Sequence, residues 1–255
     1  MKNRAGRLLR LILVFSLLTS MTGCFYWVRA YQTYLQMDEF DDYFAIHADK
    51  NFVVDFKDPI LYSDDFVQLA KLRPSQEIMT EDGKIFRYIF RKIDAKGHVI
   101  KPEVSFYFDL IFNKDDRISH WVFSSLFLQI APPAFLEMSF RSLGSADINT
   151  GDKQLKVDTS KIKKIAAPLP LKQTVVAHLG EPLSIEDQGD QEIYLYHFQL
   201  EAHDIEEGYE DRALSELKLT FDKKTHEMIK MAGRFAGLKI SINYRKYQKN
   251  RMDKV

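Results

Sequence analysis

The 255-residue chain has a single cysteine, Cys24, so it can form neither an internal disulfide nor a cysteine-based zinc framework. It also lacks a run long enough to cross a bilayer. A transmembrane helix takes about 20 apolar residues, and the apolar stretch from Leu8 to Leu18 breaks into Thr19 and Ser20. No excess of charge is present, with 36 basic against 36 acidic residues, which excludes the general electrostatic footprint of a nucleic-acid binder. No phosphate loop, no Gly-x-Ser-x-Gly turn and no His-Glu-x-x-His pair occurs among the residues around His47, His98, His120, His178, His197, His203 and His226, so no catalytic or metal-binding class announces itself. Neither a cofactor nor a catalytic residue is expected.

What is present begins at the N-terminus. Lys2, Arg4 and Arg7 precede the apolar run, Arg10 lies in its first residues, and small polar residues follow it, which is the layout of a secretory signal over residues 1–23. Met21-Thr22-Gly23-Cys24 resembles the bacterial lipobox, in which the cysteine is acylated on sulfur and becomes the new N-terminus. The resemblance implies acyl chains such as palmitate on Cys24. At about 0.8 kcal/mol per buried CH₂, several chains give stable anchoring. Where an inner-membrane lipoprotein would carry aspartate this chain has Phe25, which by the same resemblance implies the periplasmic face of the outer membrane. An unprocessed N-terminal anchor is the alternative. Without the signal the balance is 32 basic to 36 acidic residues, a net charge of −4.

Internal matches organise the rest. Ile85-Phe86-Arg87-Tyr88-Ile89-Phe90 is answered 108 residues later by Ile193-Tyr194-Leu195-Tyr196-His197-Phe198, and at the same offset Val67 meets Val175 and Pro74 meets Pro182. Leu110 to Lys114 matches Leu219 to Lys223, and Lys50 to Asp55 matches Lys153 to Asp158. Each stretch carries an alternating strand: Val104, Phe106, Phe108, Leu110 and Phe112 in the first, Leu217, Leu219 and Phe221 in the second. An aromatic strand precedes each, and a third strand follows near Ile118 to Phe123 and near Met228 to Ala232. Ser63 is expected to cap a helix from Asp64 to Leu72, and a second helix, Leu171 to Leu179, stops at Gly180 before Pro182. Pro133 opens a further helix to Leu143. The fold expected is α+β, with two tandem repeats, each a helix packed on its own small antiparallel sheet. The corresponding boundaries are a membrane-proximal helix at 24–46, domains at 47–144 and 153–244, a linker at 145–152 and a basic tail at 245–255.

Val175-Val176-Ala177-His178-Leu179-Gly180-Glu181-Pro182, followed by Ile193 to Phe198 and Leu217 to Asp222, resembles the BamE (SmpA/OmlA) family of outer-membrane assembly lipoproteins. The resemblance covers about Leu169 to Met231 and reaches the first stretch only through the internal match. It implies the helix-on-sheet fold also carried in tandem by β-lactamase inhibitor proteins, and a protein-binding style of function.

Candidate site residues are few. Trp27 and Tyr31, in the aromatic segment after Cys24, are candidates for membrane contact, the alternative being packing on the first domain. Trp121 and Tyr107 are candidates for partner binding, as an outward aromatic row or, alternatively, beneath the helix from Pro133. Glu201, Asp204, Glu206, Glu207, Glu210 and Asp211 form either a solvated loop or a calcium site. The function expected is a lipid-anchored envelope scaffold binding an unidentified envelope protein, with no nucleic acid. The alternative is an enzyme or small-ligand carrier with a pocket between the two stretches.

Overall fold

The computed structural model describes residues 25–143, 146–149, 154–157, 164–203, 205–235 and 238–249; the signal segment and Cys24 lie outside them. Helix α1 (Phe25–Gln36), a short 3-10 turn and α2 (Phe40–Tyr43) lead into strands β1 (Phe44–Ala48) and β2 (Phe52–Phe56). Then come α3 (Ser63–Ala70), β3 (Gln76–Thr80), β4 (Gly83–Ile93), β5 (Ser105–Phe112), β6 (Ile118–Phe123) and α4 (Pro133–Ser142). Strands β7 (Ala146–Asn149) and β8 (Gln154–Val157) form a separate two-stranded sheet. The chain continues through α5 (Lys172–Leu179), β9 (Ser184–Gln188), β10 (Gln191–Leu200), β11 (Leu214–Asp222), β12 (Met228–Phe235), β13 (Leu238–Ile242) and α6 (Tyr244–Tyr247).

The two expected helix-on-sheet domains are not what forms. A single antiparallel sheet runs β1-β2-β6-β5-β4-β10-β11-β12-β13, with β3 added beside β4 and β9 beside β10, and it curls into a half-barrel. The join is the β4–β10 ladder, where Ile93, Lys92, Arg91 and Phe90 pair with His197, Phe198, Gln199 and Leu200. Arg91 and Gln199 face each other at its centre, and they are 108 residues apart, the offset that relates Ile85 to Ile193. The matched blocks therefore occupy matching places on either side of one ladder within a single sheet. The first block of the internal match also departs from expectation. Lys50 to Asp55 contributes to β2, which pairs with β6 in the main sheet, whereas β8 pairs only with β7. The expected linker at 145–152 carries β7.

Period-2 alternation explains which face is buried. Phe86, Tyr88 and Phe90 on β4, Phe106, Phe108, Leu110 and Phe112 on β5, Tyr194, Tyr196 and Phe198 on β10, and Leu217, Leu219 and Phe221 on β11 all turn to one side and are buried. The curl brings β12 back over β5. The Phe235 ring lies 5.6 Å from Phe106, 6.0 Å from Phe90 and 5.5 Å from Phe127, and Phe106 lies 4.9 Å from Phe198. Gly233 makes the approach feasible, since a Cβ there would come within 2.9 Å of the Phe235 ring.

Helices cover this face. Helix α3 sets Phe66 against Phe112 at 5.7 Å, and α5 buries Val175 and Leu179. The α3 N-terminus differs from expectation: Tyr62 is the cap, its backbone N–H donating to Asp65 at 2.9 Å, while Ser63 donates from its hydroxyl to Asp116 at 2.9 Å. Helix α4 lays Phe140 on Phe52, Phe123 and Trp121 and Phe135 on Tyr244 of α6. Tyr244 and Tyr247 are buried, and the Tyr244 hydroxyl donates to the Ile130 carbonyl. The expected basic tail thus begins as a docked segment.

Candidate functional site

Helix α1 is the surface with the most unusual chemistry. On α1, Gln36 and Thr33 are buried, and Arg29 is directed at α3, where its guanidinium forms a two-pronged ion pair with Asp65, Nε to Oδ2 at 2.6 Å. The Gln36 amide donates to the Asp58 carbonyl at 2.9 Å. Asp65 thereby caps α3 and holds α1, and the pairing raises the Arg29 pKa. The Arg29 guanidinium also lies 5.0 Å above the Tyr62 ring. Polar groups dock this helix, and its aromatic residues Trp27 and Tyr31 are exposed.

Trp121 and Tyr107 do not share a surface. Trp121 pairs with Leu110 and Val54 and lies on the buried face, 4.8 Å from Phe123 and 5.6 Å from Phe140 of α4. Tyr107 lies on the outer face beneath the Arg87 guanidinium, 4.3 Å from its ring centre. Arg87 in turn forms a bidentate pair with Asp109 at 2.8 and 2.7 Å. The pair cannot act as one aromatic row.

The outer face carries the remaining polar chemistry. Asp55 accepts from His47 at 2.7 Å and lies 3.5 Å from His120, while Ser119 gives its hydroxyl proton to the Ile111 carbonyl at 3.0 Å. His197 lies 3.8 Å from Glu216. These are half-exposed side chains across neighbouring strands, and no group of three metal-ligating residues converges among the described residues. Of the acidic loop after β10, Asp204 lies outside the described residues, and separate contacts are made by Glu201 with Arg91 at 2.8 Å, Glu206 with Lys71 at 3.4 Å, Asp211 with Arg234 at 2.7 Å, and Glu210 accepting from Gly208 N–H at 3.1 Å.

A depression of about 550 Å³ is open to solvent and lined by Asp58, Pro59, Tyr62, Asn113, Asp115 and Arg117. Its one guanidinium, Arg117, already donates to the Pro59 carbonyl at 3.0 Å and the Tyr62 hydroxyl at 3.2 Å. The junction between the halves, where a pocket was the alternative expectation, is filled by Phe90, Phe106, Phe198 and Phe235.

Sequence reasoning missed Lys92. It sits in the otherwise apolar inward row of β4, 4% exposed, and its ammonium donates to the Leu179 and Glu181 carbonyls at 2.7 and 2.5 Å. Burial lowers its pKa. A cation at a helix C-terminus meets both the free carbonyls and the negative end of the dipole. The available signal was a lysine at an even position among Phe86, Tyr88 and Phe90.

Comparison with known protein families, with curated proteins and with solved structures returns no match. Among the described residues no helix is long and apolar enough to cross a membrane.

Proposed function

We propose that this chain is a lipid-anchored lipoprotein of the bacterial outer membrane whose half-barrel serves as a binding or scaffolding module for another envelope protein. The observation that carries the reading is Met21-Thr22-Gly23-Cys24 standing directly before Phe25, the first residue of α1, so that acylation at Cys24 would fall next to a folded element. The sheet supports the binding half of the reading. Among the described residues, strands β1 and β13 end its path with one sheet neighbour each, and free backbone edges are what an added strand uses. Binding rather than catalysis also suits a surface whose polar groups are spread in pairs across a sheet face.

Mass spectrometry of the mature N-terminus tests the anchor: an acylated Cys24 is expected, and Cys24→Ala should accumulate as unlipidated precursor. An unmodified Cys24 or cleavage elsewhere would refute it. Crosslinking in intact envelopes, followed by purification, tests the scaffold. A defined protein crosslinked along β1 or β13 is expected, and a chain that crosslinks to none rejects it.

A further inference from the structure

Helix α1 is amphipathic in the wrong sense for a soluble domain. Successive residues turn by about 100°, so Phe25, Trp27, Val28, Tyr31, Gln32 and Leu35 occupy one half of its circumference. All of them except Gln32 are large apolar or aromatic residues, between 44% and 53% exposed. The other half holds Arg29, Thr33 and Gln36, fixed to Asp65 and the Asp58 carbonyl or buried, with Ala30 and the half-buried Tyr26 and Tyr34 beside them. Ordinary surface helices bury the apolar stripe and expose the polar one. Half of the ten exposed large hydrophobic residues among those described lie in these twelve positions. A patch of this kind marks a contact surface.

We infer that the outer stripe of α1 lies in the interfacial zone of the bilayer, as a second membrane contact beside the acyl anchor, with α3 on the protein side. This rests on the anchored reading above. A lipid surface is the occupant because the stripe starts one residue after Cys24, too near the acyl chains for the helix to stand clear of the headgroups. Its Trp and Tyr suit the headgroup level, and interfacial helices bury an apolar face about 5–10 Å deep. Helix α1, twelve residues and so about 18 Å long, is pinned through Arg29 and Asp65, so the half-barrel is held in one orientation to the membrane. A tether of lipid alone would leave it free to tumble.

The chain has two tryptophans, so Trp121→Phe leaves Trp27 as the only indole. The lipidated protein carrying this change is reconstituted into phosphatidylethanolamine–phosphatidylglycerol vesicles with brominated acyl chains. Trp27 emission is expected to shift to shorter wavelength and fall at least two-fold relative to unbrominated vesicles. Emission that stays water-like and unquenched overturns the inference, and so does a stripe buried between two copies, seen as a Tyr31-to-Tyr31 crosslink with no quenching. Mass spectrometry of the same sample reports whether Cys24 is acylated, so loss of the anchor and loss of the helix contact are read separately. Quenching of an unacylated chain still supports the contact. If Trp121→Phe disturbs folding, a nitroxide on Tyr31→Cys gives the same decision: more accessible to oxygen than to a water-soluble nickel complex if the stripe is in lipid, the reverse if it is not.

Discussion

The two halves of the sheet follow one path with different fastenings. Each runs helix, hairpin, strand and strand: α3 to β6 in the first, α5 to β12 in the second. Each turn before the last strand is closed by one side chain accepting backbone N–H groups. Asn113 takes those of Asp115 and Arg117 at 3.0 Å, and Asp222 takes those of Lys224 and Thr225 at 2.9 and 2.8 Å. Each helix ends on a cation supplied by the other half. Lys92 of the first half takes the carbonyls at the end of α5, and Arg212 of the second donates to the Leu69 and Ala70 carbonyls of α3 at 3.1 and 2.7 Å. The difference lies in burial, since Lys92 is enclosed and Arg212 half-buried beside Tyr209. The lesson is that neither half completes its own helix, which is why a division into two independent domains fails.

The strongest way to break the comparison is to remove the ring that spans it. Phe235→Ala deletes a fully enclosed phenyl touching Phe90, Phe106 and Phe127 from the far end of the sheet, and should cost about 3–5 kcal/mol in urea unfolding. A loss under about 1 kcal/mol would mean the two ends of the curl are not packed together.

The paired caps sharpen the comparison next. Lys92→Met strands two buried carbonyls and should cost about 1–3 kcal/mol, whereas Arg212→Met, at a half-exposed site, should cost less than about 1 kcal/mol. Equal losses would show that burial does not distinguish them. The pH dependence separates them further. With a folded pKa below its unfolded value of about 10.4, Lys92 binds its proton more weakly in the folded chain. Wild-type stability should therefore rise with pH as it approaches that value, and Lys92→Met should remove the rise.

The smallest expected effect concerns the turns. Thr225 N–H, Arg245 and Lys224 N–H hold the Asp222 carboxylate down at about 2, while Asn113 has no charge to lose. A depressed folded pKa contributes stability above the unfolded pKa near 3.9, and that contribution disappears as pH falls through about 2. Asp222→Asn should flatten the acid side of the stability curve between pH 4 and 2, with an effect under about 1 kcal/mol at neutral pH for a pair this near the surface. An unchanged acid limb would show the carboxylate to be irrelevant there.

Alternation in the sequence located β5 and β11 and the face each turns inward, because side-chain periodicity is a local property. It could not assign lateral neighbours. Strands β4 and β10 read equally well as edges of separate sheets, and only the backbone register of Phe90 to Ile93 against His197 to Leu200 joins them. The same limit applied to Trp121 and Tyr107, read as one outward row or as residues beneath the helix from Pro133: the antiparallel register of Leu110 with Trp121 decides that they face opposite ways. The docking of α1 was only half legible, since its aromatics left membrane contact and packing on the first domain both open until Arg29 is seen reaching Asp65.

The cross-capping has a consequence in time as well as in space. The bond from Arg212 to Leu69 spans 143 residues of chain and that from Lys92 to Leu179 spans 87. Contacts so distant in sequence close slowly, because loop-closure entropy is lost before they form. A chain made N-terminus first exposes β4 and the end of α3 without their partners until its last strands follow. This protein should accordingly refold more slowly than its modest size suggests.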